Sequence, residues 1–287
     1  MNEVTIIGLG AMGSMLARTL LQKNYRVTVW NRTTEKAEQL VSEGASLAPS
    51  VGAAISASPV TIVCVSDYQT SDQLLDTEEA KSAFADRVLI QMSTGSPQQA
   101  RDNEAWAKAL GIEYLDGAIA ASPSQIGRED AVIFTSGSAY AFQNSEEVLK
   151  SLAGSVPYLG EQVSAAATTD LAFLSYLFGS YLGFFHAARI MESDGLQVSA
   201  FGAMLAQISP VIGEVIKYEG ELIEAEKYDN PQSSLNICMV TAKLLMKQAR
   251  EAGINNEFPA FAEQLFARAL DAGYGNEEVA ALIKILR

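Results

Sequence analysis

The sequence predicts an α/β protein in which a doubly wound parallel sheet is followed by a long helix and an all-α domain. Three observations support this prediction. Strand segments rich in β-branched residues alternate with helix-like segments from residue 3 to about residue 160. A glycine loop follows the first strand segment, and only helical patterns remain beyond residue 162. Such alternation favours a parallel sheet with helices on both faces.

The first strand segment is "EVTIIGLG", and a helix is predicted near 11–23. The segment "RVTVWN" and a helix from about 34 to 43 complete the first β-α-β unit and open the next. Four more strand segments are predicted at 60–66, 88–93, 113–120 and 131–137.

Strand signals stop after "VPYLG", and the rest of the chain has the periodicity of helices. Two of them are "SSLNICMVTAKLLMKQAREAG" and "FPAFAEQLFARALDAG", with Pro231 and Pro259 near their starts. We therefore expect a domain boundary near residue 162.

Composition narrows the functional classes. The 287 residues include 20 basic and 34 acidic side chains, a net charge of −14, which opposes binding to nucleic acid or an anionic membrane. With one histidine and two cysteines, neither a metal site nor a disulfide framework is expected. A reducing, cytoplasmic location is expected for the same reason.

The stretch 171–188 carries no formal charge, and Asp170 immediately precedes it. A helix that is apolar all round lies either in lipid or inside protein. Since no cluster of Lys or Arg flanks the stretch, burial by protein, including a second copy of the chain, is the favoured interpretation.

The glycine loop "IIGLGAMGSMLA" has G-x-G-x-x-G spacing. Gly8 suits a tight turn, Gly10 admits a pyrophosphate close to the backbone, and Gly13 allows close packing of the helix. At the first strand-to-helix turn of a β-α-β unit, the motif predicts a Rossmann domain that binds a dinucleotide. The predicted contacts in the loop are Gly8, Leu9, Gly10, Ala11, Met12 and Gly13.

The second strand ends in Asn31, Arg32 and Thr33, where a site specific for NAD would place an acidic residue. A guanidinium and a hydroxyl favour the 2′-phosphate of NADP instead. The alternative for Arg32 is a solvated loop charge.

The ends of later strands should also face the cofactor, because ligands of such sheets bind outside the carboxyl ends of the strands. Val65, Ser66 and Ser93 are predicted cofactor contacts, and Ser96 is a predicted substrate contact. The alternative for these serines, and for Thr94, is ordinary service as helix caps or in turns.

Together these stretches resemble the β-hydroxyacid dehydrogenase superfamily, and within it the imine reductases and reductive aminases. The likeness rests on "STGSPQQARDNEAWAKALGIEYLDGAIAASPSQIG", on "TTDLAFLSYLFGSYLGFFHAA" and on the closing "FPAFAEQLFARALDAGYGNEEVAALIKILR". It implies NADPH as cofactor, an imine or a ketone plus an amine as substrate, and a homodimer with interlocked helical domains. The implied domains are an NADP-binding domain at 1–162, an interdomain helix at 163–192 and a helical dimerisation and substrate domain, like the C-terminal domain of 6-phosphogluconate dehydrogenase, at 193–287.

Two departures separate the chain from hydroxyacid enzymes. Their glycine pair after "LDG" is missing from "AIAASPSQIG", and their lysine near the start of the long helix is replaced by Asp170. Many imine reductases also carry a tyrosine where this chain has Phe178. Tyr176 is a doubtful substitute, because it lies about 240° round the helix from Asp170, compared with about 80° for residue 178.

Asp170 is the predicted catalytic residue. Reduction of an imine proceeds through a cationic iminium, which a carboxylate stabilises, whereas a ketone develops negative charge that suits a lysine. Phe173, Leu174 and Phe178 are expected to exclude water from the substrate. Three alternatives stay open: Asp170 as a helix cap, an NADP-dependent β-hydroxyacid dehydrogenase or short-aldehyde reductase, and an NADP-binding sensor without activity.

Overall fold

A computed structural model describes residues 2–287, in two compact units. One unit ends at Ser175, and the other spans Tyr176–Arg287. The division falls inside the longest helix of the chain, so each unit contains part of that helix.

The first unit is built on a seven-stranded sheet. Its strands are β1 (Glu3–Ile7), β2 (Arg26–Trp30), β3 (Ser46–Leu47), β4 (Val60–Val63), β5 (Val88–Gln91), β6 (Glu113–Ile119) and β7 (Ile133–Gly137). Their order in the sheet is β3-β2-β1-β4-β5-β6-β7. The order reverses direction at β1, so the ends of β1 and β4 meet at a crevice where ligands bind in sheets of this kind.

Helices cover this sheet and then form the rest of the chain. They are α1 (Ala11–Gln22), α2 (Glu38–Ser42), α3 (Val51–Ser56), α4 (Tyr68–Leu75), α5 (Glu78–Ala83), α6 (Pro97–Ala109), α7 (Ala139–Leu152), α8 (Ser164–Ser193), α9 (Val198–Ala225), α10 (Leu235–Ala252) and α11 (Glu257–Asp271). Three short 3-10 helices cover Thr34–Ala37, Pro123–Gln125 and Val279–Ile285. The predicted α/β fold class is confirmed.

The sheet departs from the predicted parallel arrangement at one edge. β7 runs antiparallel to β6, whereas the other neighbouring strands are parallel. A parallel pair needs a crossover connection, usually a helix. Residues 120–132 form only the short 3-10 turn Pro123–Gln125, so the chain turns back along β6. The two-residue strand β3 was also not predicted from the sequence.

The core of the first unit consists of strand residues packed under helices. All four residues of β4 and all four of β5 are buried, as expected for central strands covered on both faces. Leu16 and Leu20 of α1 pack in the same cluster as Val4 and Ile6 of β1. This packing fixes the glycine loop between β1 and α1.

In the second unit, α9 presents an apolar face with little cover. Met204, Ile208, Val211 and Val215 recur every three or four residues and are 48–66% exposed. α8 and α9 are each long and apolar enough to cross a membrane. Length and composition alone are weak evidence that they do so. The apolar faces therefore require either a lipid or a protein partner.

Candidate active site

The glycine loop adopts a conformation that needs glycine at two positions. Gly8 has a positive φ of 98°, and a Cβ there would lie 2.3 Å from the carbonyl oxygen of Cys64. A Cβ on Gly13 would lie 2.0 Å from the carbonyl oxygen of Gly8. A Cβ on Gly10 would face open space, because no atom of the described residues lies within 4 Å of it. The loop thus packs tightly on one side and leaves room for a ligand at Gly10.

This space opens into a cleft of about 400 Å³. α1 begins at Ala11, and its first turn contains no acidic residue, so its N–H groups are available to an anion. All predicted cofactor residues except Ser93 line the cleft: Gly8, Leu9, Gly10, Ala11, Met12, Gly13, Asn31, Arg32, Thr33, Val65 and Ser66. Trp30, Lys36, Cys64, Thr70 and Leu74 complete the lining.

Asn31 connects the two sides of this cleft. Its side-chain oxygen accepts a hydrogen bond from the N–H of Leu9 at 2.9 Å, and its Nδ2 donates to the carbonyl oxygen of Thr33 at 2.8 Å. One amide side chain therefore fixes both the glycine loop and the turn that carries Arg32.

Two cations and a hydroxyl lie at the end of β2. Arg32, Thr33 and Lys36 all line the cleft there. Sequence analysis did not assign Lys36, although it stands in the basic stretch "NRTTEK" just after the strand. All three side chains can donate hydrogen bonds and two of them are cationic, so they fit a phosphate group such as the 2′-phosphate of NADP.

The later strand ends are tied together by hydrogen bonds. The N–H of Val65 donates to Ser93 Oγ at 3.1 Å, which joins the end of β4 to the end of β5. Ser66 Oγ donates to the Asp67 carboxylate at 3.0 Å, within the N-cap of α4. Ser66 therefore supports the capping residue Asp67 in addition to its place in the cleft, whereas Ser93 links two neighbouring strand ends.

Asp170 lines a smaller cavity of about 180 Å³ in the same unit. The other residues around this cavity are Met12, Cys64, Val65, Met92, Ser93, Thr94, Gly117, Ala118 and Ile119. Met12, Cys64 and Val65 line the larger cleft as well, so the two spaces adjoin along the ends of β1 and β4. A dinucleotide held by the glycine loop would direct its far end toward Asp170.

The carboxylate of Asp170 is buried and lacks a protein partner. Its residue is 7% exposed, and among residues 2–287 no group donates a hydrogen bond to it. Burial raises the pKa of this carboxyl. A buried carboxylate without a donor is costly to the fold, so its place at a cavity is typical of a ligand-binding or catalytic residue.

The helix-cap alternative for Asp170 is wrong. α8 begins at Ser164, six residues before Asp170, so Asp170 lies in the second turn of the helix. The free N–H groups of a helix belong to its first four residues. Asp170 therefore does not cap α8.

Of the other residues predicted to bind substrate, those in the first unit do not line this cavity. Ser96 caps α6 by accepting a hydrogen bond from the N–H of Gln99 at 3.2 Å, as its alternative interpretation stated. Within the described part of the first unit, neither Ser96, Phe173 nor Leu174 lines the Asp170 cavity. Phe173 is 39% exposed, and Phe178, in the second unit, is 59% exposed.

The thiol of Cys64 lies at the site but is unsuited to nucleophilic catalysis. It lies on the lining of both spaces, and burial raises its pKa to about 11. The thiol is therefore neutral and poorly nucleophilic at neutral pH. It contributes an apolar surface to the wall between the cleft and the cavity.

Comparisons with known proteins agree with this geometry. Residues 3–160 match the family described as the NAD binding domain of 6-phosphogluconate dehydrogenase. Residues 162–287 match the NADPH-dependent reductive aminase-like C-terminal domain. The solved structure of an imine reductase from Myxococcus stipitatus in complex with NADP+ is 34% identical, with a TM-score of 0.92 over 99% of this chain and 100% of that one. This chain belongs to the imine reductase and reductive aminase family.

Two further relatives support the assignment. A reductive aminase from Aspergillus terreus, solved in complex with NADPH and ethyl-5-oxohexanoate, is 34% identical, with a TM-score of 0.91 over 100% of this chain and 99% of that one. The NADPH-dependent reductive aminase of Aspergillus oryzae is 29% identical over 100% of this chain and 97% of its own length. The predicted family is therefore confirmed over both domains.

Sequence reasoning missed part of this candidate site. Met92, Gly117, Ala118 and Ile119 line the Asp170 cavity but were not assigned. These residues lie at the ends of β5 and β6, where the same rule about strand ends that selected Ser93 applies. The signal was present, but β6 extends three residues further than β5, and only the sheet shows which of its residues reach the cavity.

Proposed function

We propose that this imine reductase uses NADPH to reduce iminium ions to amines and that Asp170 binds the cation. One observation carries the proposal: a buried carboxylate without a hydrogen-bond donor lines the cavity that adjoins the dinucleotide cleft. The family assignment supports the same reaction class.

The chemistry follows from the sign of the charge. A protonated imine is a cation, and reduction removes its charge when a hydride adds to carbon. When bound, NADPH supplies that hydride. Ion pairing at about 4 Å, with an effective dielectric near 20, is worth about 4 kcal/mol, or about three pK units in favour of the protonated imine. Asp170 would keep the substrate charged and fix its position.

The walls of the cavity would strengthen this interaction. Met12, Cys64, Met92 and Ile119 are apolar side chains around the carboxylate. They exclude water, and electrostatic interactions are stronger where water is absent. The Asp170 carboxylate would repel a substrate that builds negative charge on oxygen, and the apolar walls would strengthen that repulsion. This argues against the β-hydroxyacid dehydrogenase alternative.

We infer that the cofactor is held by the glycine loop and by the cations after β2. The N–H groups of α1 would bind the pyrophosphate, and Arg32, Thr33 and Lys36 would bind the 2′-phosphate. Asn31 would act indirectly, since its hydrogen bonds to Leu9 and Thr33 hold both segments in place.

The substrate class is tested by spectrophotometric assay of NADPH consumption. The full-length protein is given a cyclic imine, a ketone alone, and the same ketone with an amine; oxidation of a β-hydroxyacid with NADP+ is the counter-assay. Consumption with the cyclic imine and none with the hydroxyacid is the expected result. Faster turnover of the ketone when the amine is present would extend the activity to reductive amination. Turnover of the hydroxyacid but not the imine would refute the proposal, and turnover of neither would favour the sensor alternative.

We further propose a cytoplasmic homodimer in which a second copy covers the apolar faces of α8 and α9. Tyr176, Phe178, Leu182 and Phe185 of α8 are 51–59% exposed, and the stripe on α9 is exposed to a similar degree. A protein with a net charge of −14 is poorly suited to an anionic membrane surface, which favours a protein partner. The location agrees with two free cysteines, Cys64 and Cys238. Sedimentation velocity on the purified protein would detect the dimer.

A further inference from the structure

The first unit contains a second buried carboxylate, which the proposed chemistry does not use. Asp116, on β6, is 1% exposed. The hydroxyl of Tyr68 donates a hydrogen bond to Asp116 Oδ1, and the hydroxyl of Tyr114 donates to the same oxygen at 3.3 Å. The two tyrosines are themselves 1% and 2% exposed. We call Tyr68, Tyr114 and Asp116 the buried cluster.

The buried cluster lies behind the walls of the site. Tyr68 begins α4, two residues after Ser66 of the cofactor cleft. Its ring packs so closely on Gly95 that a Cβ there would lie 2.3 Å from the ring. Gly95 follows Thr94, which lines the Asp170 cavity. Movement of Tyr68 would therefore disturb both spaces.

Asp116 also holds the first turn of α8. Ala167 in this turn packs in one hydrophobic cluster with Tyr68, and its backbone N–H lowers the pKa of Asp116, which favours the charged form. The neighbouring N–H, of Ala166, donates to Ser136 Oγ at 2.9 Å. Asp116 and Ser136 face each other in the β6–β7 register, so the first turn of α8 lies over these two adjacent strands.

The docking of this turn also places Asp170. Ala166, Ala167 and Asp170 are buried, at 0%, 4% and 7% exposed, and residues three and four positions apart share one face of a helix. The face of α8 that docks on the sheet is therefore the face that carries Asp170. A shift or rotation of this turn would move Asp170 out of its cavity.

Ser136 holds the turn without a charge, but Asp116 is an ionisable group. Burial is the largest cause that raises the pKa of Asp116, to about 7, and the charge of Asp170 adds to the effect. Hydrogen bonds from Tyr68, Tyr114 and Ala167 oppose it. The titratable groups that face Asp116 are thus Tyr68 from α4, Tyr114 from its own strand and Asp170 from α8.

The two strands that flank β6 place no charged residue beside Asp116. Gln91 of β5 and Ser136 of β7 are the register partners of Asp116, and both are neutral. A cationic substrate bound beside Asp170 would therefore offset the one nearby charge that disfavours ionisation of Asp116.

We propose that Asp116 is a positioning residue of the active site: through the first turn of α8 it holds Asp170 at its cavity, and its own charge strengthens the binding of a cation there. This inference rests on the proposed role of Asp170. Linkage makes the effect reciprocal. A cation that neutralises Asp170 makes ionisation of Asp116 easier, and an ionised Asp116 makes the cation bind more tightly.

The test uses a substrate whose own charge does not change with pH. An N-alkylated cyclic iminium is permanently cationic, and hydride addition to its carbon gives a tertiary amine and NADP+ without a proton. We expect KM to fall about fivefold as pH rises through the Asp116 pKa of about 7, with kcat nearly constant. In Asp116→Asn the KM should be independent of pH over this range, because the amide keeps an acceptor for the helix but cannot ionise.

Two further variants separate charge from structural support. Tyr68→Phe removes a donor that favours the charged carboxylate, so the fall in KM should move to higher pH. Ser136→Ala is the matched control, because it removes the other contact to the same turn and leaves the charges unchanged. Its thermal stability should fall and its KM should rise by a similar factor at every pH, so the dependence of KM on pH should stay as in the wild type.

The outcomes distinguish this inference from the proposed function. If Asp170→Asn loses activity but Asp116→Asn keeps the wild-type pH dependence of KM, the inference about Asp116 is wrong and the role of Asp170 stands. If Asp170→Asn turns over the iminium like the wild type, the role of Asp170 is wrong and the inference falls with it. Should Asp116→Asn fail to fold, an unshifted KM profile in Tyr68→Phe overturns the inference.

Discussion

Replacement of Asp170 by asparagine removes one charge from the proposed active site and keeps the shape of the side chain. The carboxylate is 7% exposed, and no described residue donates to it, so an iminium would be its main electrostatic partner. An ion pair of about 4 kcal/mol corresponds to a loss of up to about a thousandfold in kcat/KM for an imine. Water that enters the cavity of the variant would reduce this loss, so we expect a decrease between about tenfold and a thousandfold.

The same change should not destabilise the protein. Burial raises the pKa of Asp170, so its folded form resists ionisation and stability falls as pH rises above the unfolded pKa. Asparagine has no such cost. We therefore expect the variant to melt at the wild-type temperature or above it at pH 8. A capping role would have predicted unchanged turnover instead, and the position of Asp170 inside α8 already argues against it.

The assay follows NADPH oxidation with a cyclic imine at saturating NADPH, with melting temperatures measured at two pH values. Asp194→Asn is the matched control, because Asp194 is exposed and its substitution changes the net charge by the same amount. The KM for NADPH should stay at its wild-type value in both variants. An Asp170→Asn enzyme with wild-type kcat/KM for imines would refute the ion-pair mechanism.

Three further predictions concern the cofactor, the assembly and the buried cluster. Arg32→Ala should raise the KM for NADPH at least about tenfold and affect NADH much less, because only NADPH has the 2′-phosphate; equal effects would remove Arg32 from that contact. Val211→Glu, at a residue 66% exposed on α9, should convert the proposed dimer to monomers in sedimentation experiments, whereas Val41→Glu, at 42% exposed on α2, should leave it intact. The pKa of Asp116 is raised from 3.8 to about 7, so burial of this carboxyl costs no stability below about pH 4, where it is protonated in both the folded and the unfolded chain. As pH rises to about 7, the free energy of unfolding should fall by about 4 kcal/mol. Chemical denaturation should show that Asp116→Asn lacks this loss, and a variant with the wild-type pH dependence of stability would contradict the shift.

Local sequence patterns determined the architecture and most of the cofactor cleft. The spacing of Gly8, Gly10 and Gly13 reports backbone geometry within a few residues, and the structure has the tight contacts that this spacing implies. Arg32 and Thr33 could be assigned because they immediately follow a strand whose end faces the cleft. The alternation of strands and helices, and the long helix predicted at 163–192 and found at Ser164–Ser193, are equally local properties.

Only the tertiary structure decided which distant residues meet. The antiparallel direction of β7, the contact of Tyr68 with Asp116 across 48 residues and the docking of Ala166 on Ser136 across 30 are not encoded in any short pattern. A sequence period specifies which face of a helix or strand is apolar, but not the element against which that face packs. Asp170 illustrates the difference. Its residue type suggested a cation partner, whereas its burial, its lack of a donor and its place beside the cleft depend on how α8 lies on the sheet. Desolvation and charge act through space, so they become readable only when the chain has folded.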